Sequence, residues 1–101
     1  MSMFFGWFDT REARQRGLIL AKMVVDGLPA SERKKANKAA VQRAKLLDKI
    51  FAQARQYKNE FKPNIYQRAS LGNAFRWELL EQKCDLEFVE ELTHQLLLQM
   101  K

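Results

Sequence analysis

From Glu32 to Phe61 the chain runs for thirty residues without glycine or proline, and this stretch constrains the fold more than any other feature. The two residues that most often end a helix are missing, and strong helix formers fill the run. Ala36, Ala40, Ala44, Leu47, Ile50, Phe51, Ala54, Tyr57 and Phe61 recur mostly at three- and four-residue steps, the spacing that gathers apolar side chains on one face of an α-helix. The pattern predicts a long helix over residues 32–61, capped by Ser31. At 1.5 Å per residue it spans about 45 Å, longer than a domain of this size is wide, so it should project, bend or meet a partner.

Shorter helices are predicted on either side. Asp9-Thr10-Arg11-Glu12 has the spacing of a capping box, with Phe8 placed as the staple residue. It starts a helix over 10–26 with apolar positions Ala13, Leu20, Ala21, Val24 and Leu28, which Gly27 and Pro29 terminate. Lys62-Pro63 closes the long helix and Asn64 is placed to cap a third, over 64–83. Ile65, Tyr66, Ala69, Leu71, Phe75, Leu79 and Leu80 form its apolar side, Trp77 is expected in the core, and Gly72-Asn73 would split the segment into a short turn and a longer helix. Asp85 caps a last helix over 86–100, striped by Phe88, Val89, Leu92, Leu96 and Met100, with Glu87, Glu90 and Glu91 at its electropositive start. No alternating pattern of strand length occurs. The expected fold is all-α: a bundle of about four helices in one domain, with a long central second helix and the last two paired on the first two.

At 101 residues, 47% hydrophobic and 30% charged, the chain belongs with folded globular domains and not with disordered ones. Cys84 is the only cysteine, which excludes an intrachain disulfide and paired-cysteine zinc sites and points to a reducing compartment. Residues 1–8 are apolar but lack the basic leader and long apolar run of a secretory signal. No segment approaches the ~18 to 20 continuous apolar residues that cross a bilayer, so a cytoplasmic location is expected.

The net charge of +6 is unevenly spread. Residues 1–30 hold four basic and three acidic side chains, residues 31–62 ten and three, and residues 63–101 four and six. At 100° per residue, Lys34, Lys38, Lys45 and Lys49 share a sector of about 60° opposite the apolar stripe and extend over ~22 Å of axis. Arg33 and Lys35 flank them. Such a ridge suits an anionic partner: an acidic protein surface, lipid headgroups, or a phosphate backbone held in a salt-dependent and nearly sequence-blind way. A merely solvated face competes with that reading, because Asp48 and Glu60 dilute the field. The other outlying feature is aromatic. Phe4, Phe5, Trp7 and Phe8, beside Met1 and Met3, either fold back on the core or, through Phe4, Phe5 and Trp7, dock a partner or a membrane interface.

Catalytic chemistry finds little support. His94 has Glu90 one turn before it, an ordinary helix-surface arrangement. Cys84 stands at a predicted helix start, where the dipole lowers a thiol pKa, but Lys83 is its only adjacent cation. Gly6, Gly17, Gly27 and Gly72 fit no phosphate-binding loop. A helix-turn-helix is disfavoured by the Ala69-to-Gly72 spacing and by the acidic last third. No catalytic, cofactor or metal residues are expected. The sequence thus reads as a small non-enzymatic binding or adaptor protein that contacts another protein, or a second copy of itself, through the lysine ridge and the aromatic N-terminus. Non-specific nucleic-acid binding by the ridge is the alternative, and an enzyme built on Cys84 and His94 the third possibility.

Overall fold

A computed structural model of the chain describes residues 9–27 and 40–101, with side chains from residue 44 onward in the second stretch. The described residues form four helices and no strand: α1 (Arg11–Gly27), α2 (Ala40–Phe61), α3 (Ile65–Glu81) and α4 (Leu86–Gln99). Of the stretch expected to be helical over 32–61, Ala40–Phe61 forms a helix of 22 residues. Residues 32–39, and with them Arg33, Lys34, Lys35 and Lys38, lie outside the described residues, as do Phe4, Phe5 and Trp7.

Each helix boundary has a local cause. At the start of α1 the Thr10 carbonyl accepts the Arg14 N–H at 2.8 Å. The expected reciprocal pairing of Asp9 with Glu12 does not form. Asp9 instead accepts from the Arg11 backbone N–H at 3.1 Å and from its guanidinium at 2.9 Å, and Glu12 pairs one turn onward with Arg16. A carboxylate gains more from a charge-assisted bond to an adjacent guanidinium than from a neutral amide. The same contact holds the Asp9 carboxyl at a pKa of about 2. Asn64 caps α3 reciprocally with Gln67: each backbone N–H donates to the other's side-chain oxygen, at 3.0 and 2.8 Å. Asp85 caps α4 by accepting from Phe88 N–H.

The α3–α4 turn satisfies the last carbonyls of α3 without glycine. Cys84 N–H returns to the Leu79 carbonyl and Lys83 N–H to the Leu80 carbonyl, both at 3.1 Å, while Lys83 takes φ 67°. This is the left-handed cap that glycine adopts without penalty. Lys83→Gly is therefore expected to raise unfolding stability by about 1 kcal/mol, read as a higher midpoint in a urea melt.

The helices alternate in direction. Gln67 Nε2 donates to the Asp9 carbonyl at 3.0 Å, so α1 and α3 start at the same end and run parallel. Arg55 reaches Gln99, Arg68 the Met100 carbonyl and Arg76 the Glu90 carboxylate, so α4 runs antiparallel to α3 and alongside α2. The closest approach is between α1 and α3, separated in sequence by α2. A methyl group at Gly17 would fall 2.4 Å from the Leu71 carbonyl oxygen and 3.1 Å from the Phe75 nitrogen, so the α1 backbone lies almost directly on that of α3. Ala13, Leu20, Ala21 and Val24 of α1 then bury against a core that includes Leu71, Phe75 and Leu79.

The α4 stripe Phe88, Val89, Leu92, Leu96 and Met100 is buried throughout, and Ile50, Ala54 and Tyr57 bring α2 into the same core. Two expectations for α3 need correction. The helix continues through Gly72-Asn73, because a single interior glycine costs only about 1 kcal/mol and the burial of Leu71, Phe75 and Leu79 on either side outweighs it. Trp77 is 60% exposed: two positions from buried Phe75 is about 200° around the helix, which turns Trp77 outward. A further correction concerns the apolar stripes: Ile65, Tyr66 and Ala69 of α3 and Ala44 and Phe61 of α2 are exposed.

Candidate functional site

Helices α2 and α4 meet at one end and leave a gap toward the other. Near their C-terminal ends, Arg55 donates to Gln99 and Lys58 to the main-chain oxygen of Lys101. Toward their N-terminal ends an open groove of about 850 Å³ lies between Leu47 and Phe51 of α2 and the α4 stretch from Leu86 to Gln95. Its floor is apolar. Leu47 and Phe51 belong to the α2 stripe but stay half-buried, Phe88 and Leu92 contribute from the core, and Leu86 at the mouth is 56% exposed.

The rim is acidic. Glu87, Glu90 and Glu91 line it from α4, and Asp48, exposed on α2, lies about 60° from Phe51 by helical phase, on the side of the stripe that borders the groove. Glu90 is paired with Arg76 at 2.5 Å, and Glu91 accepts from Gln95 at 3.2 Å. The Arg76 guanidinium also stacks over the Trp77 ring, 5.3 Å from its centroid, and so couples the rim to the exposed face of α3. The α4 N-terminus carries a partial positive charge equivalent to about half a proton. With one rim carboxylate neutralised by Arg76, the other two on α4 still outweigh it.

The residues singled out in the sequence do not converge on this groove. Lys45 and Lys49 are exposed, about 120° to 160° around α2 from Leu47 and Phe51, so the described part of the lysine ridge faces away from it. Cys84 is buried beside Leu79 and Phe88 in the core, and His94 is exposed. Ten residues separate them along the α4 segment, about 15 Å of helix rise. Among the described residues, no cluster of His, Cys, Asp and Glu has metal-binding geometry, and no helix is long and apolar enough to cross a membrane. The groove residues give no distinct signal in the sequence, because Leu47, Phe51, Phe88 and Leu92 look like ordinary core positions. The helix dipole accounts for the placing of Glu87 in the first turn of α4, and Glu90 and Glu91 read as ordinary exposed positions of that helix.

No family model, curated protein or solved structure matches this chain. Geometry is therefore the guide to its function.

Proposed function

We propose that this chain is a non-enzymatic binding protein that docks a basic amphipathic helix of a partner protein in the α2–α4 groove. The observation that carries this reading is the combination of an apolar floor with carboxylates on the rim. A helix laid in such a groove buries its apolar stripe on Leu47, Phe51 and Leu86, the common helix-in-groove mode of recognition. Its flanking lysines or arginines then meet Glu87, Glu91 and Asp48, which favours cationic over anionic partners mainly by steering and exclusion. The α4 side of the groove, from Leu86 to Gln95, is about 14 Å long, so it accommodates two to three turns of helix.

This reading keeps the adaptor class expected from the sequence and moves the contact surface from the basic face of α2 to its groove side. The separation of Cys84 from His94 supports the non-enzymatic part. The nucleic-acid alternative draws on Lys45 and Lys49 alone among the described ridge lysines, and the acidic groove adds nothing to it.

A labelled 14-residue helical peptide with leucines at i, i+3, i+4 and i+7 and lysines on its flanks tests the proposal. Addition of the peptide should shift amide resonances of Leu47, Phe51, Leu86 and Glu91, and Phe51→Asp should weaken binding by roughly a hundredfold, since a carboxylate then sits on the apolar floor. A glutamate-flanked version of the peptide should bind at least tenfold more weakly. Resonance shifts confined to Lys45 and Lys49, or an unaltered affinity in Phe51→Asp, would refute the groove as the site.

A further inference from the structure

The opposite end of the molecule, where α1 and α3 begin and α2 and α4 stop, carries a second and unrelated surface. Three large apolar side chains are exposed around its α2–α3 turn: Phe61 at 46%, Ile65 at 69% and Tyr66 at 46%. The turn that presents them is firmly built. Phe61 packs on Tyr57 with ring centroids 5.2 Å apart, Lys62 closes α2 in the left-handed region at φ 47°, and the reciprocal Asn64–Gln67 bonds fix the first turn of α3. Ile65 occupies the first helical position, outside the pair of positions that a hydrophobic staple uses, so its side chain does nothing for the local fold.

Cations surround these residues. Arg16 lies over the Phe61 ring, 5.5 Å from its centroid. Arg11, Arg55, Lys58 and Lys62 lie at the same end, against Asp9, Glu12 and Glu60. Asp9 and Glu12 are paired with Arg11 and Arg16, whereas Lys62 is exposed in the turn and Arg55 donates to the neutral Gln99 amide, so both keep their full charge.

We infer that this end docks on an anionic membrane surface, with Ile65 and the exposed part of Phe61 entering the interfacial layer and the nearby Lys and Arg side chains resting on lipid headgroups. Exposed aliphatic and aromatic side chains ringed by cations fit that boundary, where apolar stems bury and charged heads stay wet. A nucleic acid would use the cations but not Ile65, which offers neither a stacking face nor a hydrogen bond. No spanning helix is needed, because the contact is interfacial.

Co-sedimentation of the full chain with vesicles tests this directly. Phosphatidylcholine vesicles containing about 30% phosphatidylserine should bind the protein at least tenfold more tightly than pure phosphatidylcholine, and the difference should shrink as salt rises. Ile65→Glu should lower the affinity by roughly thirtyfold or more, and Lys62→Glu by a similar factor. Both positions are exposed; a glutamate at the start of α3 suits the helix dipole, so Ile65→Glu should melt as the parent does, while Lys62→Glu, at the C-terminal end of α2, should melt only slightly lower. Gln82→Ala, exposed at the other end of α3, should bind vesicles as the parent does. The proposal fails if anionic vesicles are not preferred, if Ile65→Glu binds them undiminished, or if the same end binds a single-stranded RNA oligonucleotide in a manner that Lys62→Glu abolishes and Ile65→Glu leaves intact.

Discussion

Gly17→Ala is expected to destabilise the protein by about 2 kcal/mol, although alanine is the better helix former by about 1 kcal/mol. The added methyl would sit 2.4 Å from a backbone oxygen of α3, and a backbone atom cannot rotate aside as a side-chain tip can. Helices α1 and α3 must separate, which loosens the contacts of Leu20, Ala21 and Val24 with the shared core. Overpacking of this kind costs about 1–3 kcal/mol and occasionally more, so the clash outweighs the gain in propensity. In a domain of this size the loss corresponds to a fall in Tm on the order of 10 °C. Gly72→Ala is the internal control. Its methyl would meet only the Leu97 side chain, with Cδ2 at 3.0 Å, which can shift, so thermal melting should move little in either direction. If both variants melt alike, the close α1–α3 crossing is wrong.

Phe75→Ala should have a larger effect, about 3–5 kcal/mol. Phe75 is fully buried and occupies the crossing itself, its nitrogen 3.1 Å from where a Gly17 methyl would lie. Truncation removes the largest fully buried side chain among the described residues and leaves a void between helices that backbone contact already holds in place, so collapse recovers little of the loss. Against a total stability of about 5–15 kcal/mol for a small domain, this is a substantial share. Chemical denaturation followed by far-ultraviolet circular dichroism measures it. A loss below about 1 kcal/mol would show that Phe75 is not the centre of the core.

How far these features are legible in the sequence depends on whether they are local. The α4 stripe and its Asp85 cap can be read directly, because one amphipathic helix buries one face whatever it packs against. Asn64 is legible for the same reason. Size alone suggests burial for Trp77, whereas its phase relative to Phe75 turns it outward. Gly17 looks like one of several scattered glycines, yet Ala13, Gly17 and Ala21 are small residues four apart on one face of α1. That spacing permits close packing without saying against which helix. The groove cannot be read at all: Leu47 and Phe51 have the pattern of core residues, and whether they are covered depends on how α2 and α4 diverge, which no local pattern encodes. The lysine ridge is legible as a phase relationship, and its described members, Lys45 and Lys49, are exposed, but phase does not name a partner.

The contact between Gly17 and the Leu71–Phe75 turn also bears on how quickly the chain reaches its native state. Most small helical proteins assemble through neighbours in sequence and so fold fast. Here the tightest crossing joins helices with a whole helix between them, and about fifty residues of chain must close before that contact is made. The α3–α4 hairpin can form early from local contacts, whereas α1 has to find its seat across that loop, which makes its docking the natural bottleneck.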